Sequence, residues 1–494
     1  MCGTLADELT PPSSPSAPAP EGELGPPTAT EWAASLPMVA RRWPEIVSIA
    51  PEAGAVEPVA ERLARYMRTG TLSLPALPPL SLYVHLPWCL KKCPYCDFNS
   101  HELTTTPRSA NPPIDPPRGR GPAKGHEEPL RGPQRPDAGP DRNELPIARY
   151  LDALCADLEA ALPFIWGRRV HTIFIGGGTP SLFPPEAIDR LLADIRARLP
   201  LEPGCEITLE ANPGTFERDR FRGYRAAGVT RLSIGVQSFD DAKLAALGRV
   251  HNAAQARAAI EEARAAFDTF NLDLMYALPG QTLAEFASDL DQALAFEPPH
   301  LSIYQLTIEA NTVFAKYPPS GANALPDEDV SFDMLDLITA RAAASGLERY
   351  EVSAFARRGH RCAHNLNYWQ FGDYLGIGAG AHSKLSFPHR VVRQMRSRDP
   401  ANYMLQALGG RAVAQDEEVP RVQLPFEFML NATRLKEGFE LARFSERTGL
   451  SLAAVQQPLA TAEARGLIER DFTHLWPTPR GFDLLSDLQG LFLP

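Results

Sequence analysis

The sequence predicts an α/β protein: a partial, TIM-like (β/α)6 barrel followed by a C-terminal winged-helix-like α+β module. Three observations carry that prediction. Six short apolar runs recur between residues 81 and 306, and helix-like stretches separate them. Polar residues and glycines gather just after those runs. From about residue 415 the pattern changes to short helices with two small β-like pieces.

The runs are Ser81–Leu86, Val170–Ile175, Glu206–Glu210, Arg231–Val236, Phe270–Met275 and Leu301–Leu306. Each is a short apolar run, as a parallel strand buried on both faces requires. The helix-like stretches are 147–162, 185–198, 216–227, 253–267 and 283–296. Right-handed β–α units in series curl into a full or partial barrel with the ligand site at the C-terminal strand ends. Residues 328–345 read as a further helix, and 349–383 as a stretch rich in Gly, His and Tyr. The two late β-like pieces are Leu467-Ile-Glu-Arg and Leu475-Trp-Pro-Thr.

These elements divide the chain. Residues 1–75 are expected to form an extended or disordered tail, with seven prolines in the first thirty residues and short helices near 56–67. The barrel spans 76–325, a barrel-closing region 326–414 and the C-terminal module 415–494. Eleven prolines from His101 through Pro146 mark 102–145 as a disordered insertion, since so few apolar residues cannot offset the entropy of ordering it.

Composition excludes several classes. A net charge of −11, with Asp416, Glu417, Glu418 and Glu427 in the C-terminal module, argues against nucleic-acid binding. No apolar run is long enough for a membrane span, and no signal peptide is visible, so a cytoplasmic protein is expected, with at most peripheral membrane contact.

Of seven cysteines, three crowd into Cys89-Leu-Lys-Lys-Cys93-Pro-Tyr-Cys96, just past the first strand. Three thiolates on one tight loop can hold three irons of a [4Fe–4S] cube and leave the fourth iron for a small ligand. Lys91 and Lys92 would offset part of its negative charge. The alternative is structural zinc, with His85 or His101 as fourth ligand; against it, no second C-x-x-C pair occurs.

Residues suited to a ligand recur around the same strand ends. Gly176-Gly-Gly-Thr-Pro180 lets bare backbone approach a bound molecule. Glu210 ends the third strand, Gln237 and Ser238 follow the fourth, Arg249 lies in the next connection, and Asp273 sits on the fifth. Any one of them is ordinary, but together they form a ring facing the cysteines.

The C-x3-C-x2-C spacing with an aromatic before the last Cys, then GGGTP and GVQSF, resembles the radical S-adenosylmethionine superfamily and its coproporphyrinogen-oxidase-like branch. Pro94-Tyr-Cys-Asp-Phe-Asn-Ser-His101 and His364-Asn-Leu-Asn-Tyr-Trp369 resemble the heme chaperone subfamily of that branch. The resemblance runs from about residue 80 to the C-terminus, excepting the insertion.

It implies that Cys89, Cys93 and Cys96 ligate the cluster, and that Tyr83 lies beside cluster and cofactor. Tyr95 would meet the adenine of S-adenosylmethionine. Gly177, Gly178 and Thr179 would meet its methionine amino group, while Glu210, Gln237, Arg249 and Asp273 complete the pocket around ribose and carboxylate. The general chemistry it implies is reduction of the sulfonium by the cluster, supplied with electrons by a donor, to methionine and a deoxyadenosyl radical. Heme would be the cargo, handed to acceptors such as respiratory heme proteins, with His364 as the candidate axial ligand. The alternative is an oxygen-independent coproporphyrinogen III oxidase that decarboxylates propionates to vinyl groups. Such oxidases usually carry a cysteine two places after the third, where this chain has Phe98, and an N-terminal arm with no counterpart in residues 1–80. Enzymatic turnover is therefore open.

Overall fold

A computed structural model describes residues 58–103, 145–214 and 220–494. The tail expected before residue 58 and nearly all of the insertion expected at 102–145 lie outside the described residues.

The strands are β1 Leu80–Leu86, β2 Trp88–Cys89, β3 His101–Glu102, β4 Val170–Gly177, β5 Leu201–Ala211, β6 Arg231–Gln237, β7 Phe270–Tyr276, β8 His300–Gln305, β9 Glu348–Arg349, β10 Ala354–Ala356, β11 Asp373–Ile377, β12 His382–Phe387, β13 Arg390–Arg396, β14 Val413–Glu418, β15 Phe439–Glu440, β16 Ile468–Arg470 and β17 His474–Pro477. All six predicted runs are strands of one twelve-stranded sheet, in the order β14-β13-β12-β11-β1-β4-β5-β6-β7-β8-β10-β9. From β11 to β8 every neighbouring pair is parallel. The flanking strands are antiparallel. The ends of the sheet, β9 and β14, do not pair with each other, so the barrel stays open.

Helices Ile147–Ala161, Pro185–Arg198, Ala253–Ala266 and Leu283–Ala295 alternate with the parallel strands. Two of them start at capping boxes, Asn252 with Gln255 and Thr282 with Glu285, where each side chain satisfies an amide left over at the helix start. Leu82, Val84, Ile173, Ile175, Leu209, Leu232, Ile234, Leu272 and Leu301 are buried along the sheet. Each such side chain contributes about 1.5–3 kcal/mol relative to exposure.

The region past β8 departs from expectation. Residues read as a Gly-, His- and Tyr-rich stretch form the helix Ala363–Trp369 and the strands β11 and β12. Asp373, fully buried, accepts from Lys384 Nζ at 3.0 Å and Arg168 Nη2 at 2.9 Å. Those cations hold its carboxyl below the ordinary range against the opposing effect of burial. The predicted tail also ends earlier than 75. Helix Val59–Met67 buries Tyr66, whose hydroxyl donates to Asp416 and accepts from Gln394. Residues 415–418 belong to β14 of the main sheet, so the C-terminal module begins after them. That module is a three-stranded sheet, β15-β17-β16, packed with helices Leu424–Ala432, Leu441–Thr448 and Gln456–Ala464 around Phe428, Phe444 and Leu459.

Candidate functional site

Strand β1 delivers the cysteines. It ends at Leu86, and the chain turns through Pro87 into β2, which pairs in parallel with β3. His101 N–H donates to Pro87 O at 2.7 Å and Leu103 N–H to Cys89 O at 2.9 Å, closing the loop on itself. Lys92 Nζ donates to the carbonyls of Phe98 and Ser100, so its charge braces the loop instead of hanging free. Cys89, Cys93 and Cys96 all line one cavity of about 550 Å³. Their sulfurs meet Thr179 Oγ1 at 3.5 Å, Arg249 Nη1 at 3.8 Å and Ser100 Oγ at 3.6 Å. Burial, then the neighbouring Cys96 and Cys93, pushes the Cys89 thiol up.

Neither proposed zinc-completing histidine is placed for that role. His85 is buried with both ring nitrogens engaged, Nδ1 with Tyr83 Oη at 2.8 Å and Nε2 with Asn99 O at 3.0 Å. Burial lowers its pKa to about 4. His101 sits on β3 and is absent from the cavity wall. Among the described residues no three His, Cys, Asp or Glu side chains converge on a point where a single ion could be held. A cube makes no such demand, because each thiolate takes its own iron.

The facing wall comes from the ends of β4 to β7. Gly177 sits at φ +119 and its N–H donates to Glu210 Oε2 at 3.0 Å. The amides of Gly178 and Thr179 are spent on Leu86 O and Trp88 O, both at 2.8 Å. Gly178 was expected to bare its backbone to a ligand; its missing side chain instead admits the cysteine loop, since a Cβ there would lie 2.6 Å from Trp88 O. Arg249 Nη2 donates to Asn212 Oδ1 at 2.6 Å and Gly235 O at 3.0 Å, and its Nε is buried without a partner among the described residues. Its guanidinium thus sits between Cys93 and the strand ends as a fixed cation. Gln237 lies where β6 breaks register and takes φ +67. A left-handed conformation costs a non-glycine residue roughly 1–3 kcal/mol and is retained where surrounding structure enforces it. Tyr95 lines the same cavity and packs toward Phe314, ring centroids 6.5 Å apart.

Asp273 Oδ2 accepts from Ser233 Oγ at 2.9 Å, and Oδ1 from Asn271 Nδ2 at 2.7 Å. Burial raises its pKa to about 6, those hydrogen bonds opposing. Burial, then the charge of Asp273, raises Glu210 to about 7, the Gly177 N–H opposing. The cavity floor therefore holds two carboxyls that share charge reluctantly. A folded-state pKa of about 7, above the ordinary 4.5, means stability falls as pH climbs between those values. Glu210→Gln should accordingly stabilise the ligand-free chain above pH 7, by roughly 1–3 kcal/mol, with the gain vanishing below about pH 4.5. Thermal denaturation of both proteins across that range checks it; an equal gain at pH 4 would show that the carboxylate charge is not the cause.

Tyr83 does not reach the cavity of the cysteines. It faces a second one of about 520 Å³, whose wall at Phe174, Gly177, Glu210, Asp97 and Phe98 is shared with the first. His364 lines the first cavity. It is buried, its Nδ1 lies 3.0 Å from Glu206 Oε1, and its ring packs on Phe174 at 4.3 Å between centroids. Burial opposes ionisation of Glu206, yet hydrogen bonding and charge from His364, with Arg231 and the Ala363 amide, bring its pKa down to about 2. Trp369 is covered by the Arg434 guanidinium at 4.2 Å, while Tyr368 lines the second cavity. Ser238 Oγ donates to Asp289 and faces neither cavity.

Sequence reasoning missed Asn212, which joins Arg249 to Thr179, although it stands two residues past Glu210 at a strand end. It also missed Glu206, Tyr374, His382 and Arg398, which no motif marks.

Residues 83–293 match the Radical SAM superfamily and residues 419–484 the HemN C-terminal domain. The chain is 42% identical over 426 residues to the heme chaperone HemW of Haemophilus influenzae, covering 85% of this chain and 99% of that protein. It is 43% identical over 419 residues to heme chaperone HemW of Escherichia coli, covering 84% and 99%. Among solved structures, Escherichia coli coproporphyrinogen III oxidase HemN, described as a Radical SAM enzyme, superposes with a TM-score of 0.66 at 23% identity, over 88% of this chain and 93% of that one. That likeness is one of fold.

Proposed function

The chain belongs to the HemW heme chaperone family, and on that premise we propose that it binds heme and delivers it to acceptor heme proteins, with a [4Fe–4S] cluster on Cys89, Cys93 and Cys96 and S-adenosylmethionine beside it. The observation that carries the reading is the meeting of the three cysteines with Gly177, Glu210, Gln237, Arg249 and Asp273 around one cavity, in a chain matching 99% of the length of heme chaperones.

The donor set fits the groups. Three thiols on one loop suit a cube with an open iron. Arg249 supplies a buried positive charge against Cys93, as a thiolate there requires. Glu210 and Asp273 offer oxygens to hydroxyls and an ammonium on the facing wall. The bound cluster and cofactor supply electron transfer to the sulfonium and, with it, radical chemistry. The residues around them bind, orient and keep water out.

The oxidase reading is weaker. Position 98 holds Phe, 63% exposed at the mouth of both cavities, where the decarboxylating relatives usually place a thiol. Among the described residues no helix is long and apolar enough to cross a membrane.

The test is anaerobic reconstitution followed by titration with heme. The expected result is about four irons per chain with broad visible absorbance, a new Soret band at one heme per chain, and loss of that band as an apo heme protein is added. Stoichiometric zinc with no cluster, or no heme uptake, would overturn the proposal. Release of carbon dioxide from coproporphyrinogen would instead favour the oxidase.

A further inference from the structure

Two cavities share a wall, and the cysteine loop commits only one of them. The helix Ala363–Trp369 straddles both: His364 faces the first, and Tyr368, one turn on and therefore on the same side of the helix, faces the second. If the first cavity holds cluster and S-adenosylmethionine, a ligand on His364 would compete with them for the same space. The second cavity has no such claim on it.

Its lining includes two aromatic pairs. Tyr83 and Phe174 stack at 17° with centroids 6.0 Å apart, and Tyr368 meets Tyr374 edge-on at 4.8 Å. The same cavity is lined by two groups without a hydrogen-bond partner among the described residues: the imidazole of His382, at the start of β12, and the guanidinium of Arg398, just past β13. Both side chains are exposed. At 520 Å³ the space is of the size that takes a large flat ligand.

We infer that heme is carried in this second cavity, its ring between Tyr368 and the Tyr83–Phe174 pair, its iron on His382 and a propionate on Arg398. The inference rests on the heme-carrying reading above and reassigns the iron from His364, the candidate of the sequence, to His382. An aromatic slot supplies the apolar contact a porphyrin face needs. A neutral imidazole is a common axial ligand, and a planar guanidinium matches a carboxylate in two parallel hydrogen bonds. Cargo and cofactor would then lie on opposite faces of the wall formed by Phe174, Gly177 and Glu210.

The test uses the full chain, cluster-loaded and under nitrogen, titrated with heme. His382→Ala should shift the Soret band and weaken heme binding by about 10- to 100-fold or more, the range lost when metal-site partners are removed. Arg398→Glu should weaken binding about tenfold and leave the Soret maximum in place, because it touches a propionate and not the iron. Neither should alter cluster absorbance or S-adenosylmethionine binding, and His364→Ala should leave the Soret maximum unmoved. Both replaced side chains are exposed, so folding is spared. If the unmodified chain takes up heme and both variants do so equally well, this inference falls alone. A Soret shift on His364→Ala but not on His382→Ala returns the iron to the first cavity. If the unmodified chain takes up no heme, the heme-carrying reading falls as well.

Discussion

Replacing Cys89, Cys93 or Cys96 by Ser is expected to leave a folded chain that holds no iron–sulfur cluster. A serine hydroxyl stays protonated where a thiolate must ligate, so the loss of one ligand opens a second iron and strips the cube. The three side chains are half-buried and their sulfurs touch neighbours only at 3.5 to 3.8 Å, so little packing is lost. Iron content should fall from about four per chain to near zero, with the thermal midpoint of the apo protein unchanged. Cys362 is the instructive control. It lines the same cavity, but burial pushes its thiol up to about 12, so it stays protonated. Cys362→Ser, like Cys155→Ser and Cys205→Ser, should keep all the iron. Loss of the cluster on Cys362→Ser would add it to the ligand set.

Gly178→Val is expected to destroy the cluster together with S-adenosylmethionine binding. The sequence reading, which sets this glycine's backbone against the methionine amino group, implies instead an effect selective for the cofactor. In the folded chain the missing Cβ faces Trp88 O at 2.6 Å and Pro87 C at 2.8 Å, backbone atoms immediately before Cys89. Backbone held by hydrogen bonds cannot yield as a flexible side chain would. Overpacking of this kind costs typically ~1–3 kcal/mol, and here the strain is delivered to the ligand loop. Iron content and equilibrium binding of S-adenosylmethionine, measured on the soluble variant, should fall together. A variant that keeps four irons per chain and loses only the cofactor would restore the sequence's reading.

The barrel was legible because parallel strands are buried on both faces and read as short, largely apolar runs, so all six could be placed. The antiparallel flanks, β9 with β10 and β12 to β14, were not legible. They are interrupted by polar residues such as Ser383, Lys384, Gln394 and Arg396, whose burial depends on partners elsewhere in the chain, as that of Arg396 does on Asp157, 239 positions earlier. The site was legible where it lay at strand ends: the cysteines, Glu210, Gln237, Arg249 and Asp273 all line the first cavity. It was illegible where a role depends on which of two adjoining spaces a residue faces. Spacing gives no sign that Tyr83 would face the second cavity while the cysteines, six residues on, face the first. Nor could it mark His382 and Arg398, which come together only through the β12–β13 hairpin.

Strand β1 lies between β4 and β11, and its register with β11 runs from Leu80 opposite Asp373, a separation of 373 − 80 = 293 residues. The consequence belongs to the order of synthesis. At about 5–20 residues per second, the second edge of the cysteine-bearing strand stays open for roughly 15–60 s after that strand has emerged. Contacts this distant in sequence also close slowly once the chain is complete. The loop that carries the three cysteines is made early and held on both sides late, and a nascent chain presents its thiols beside an unpaired strand edge for most of its time on the ribosome.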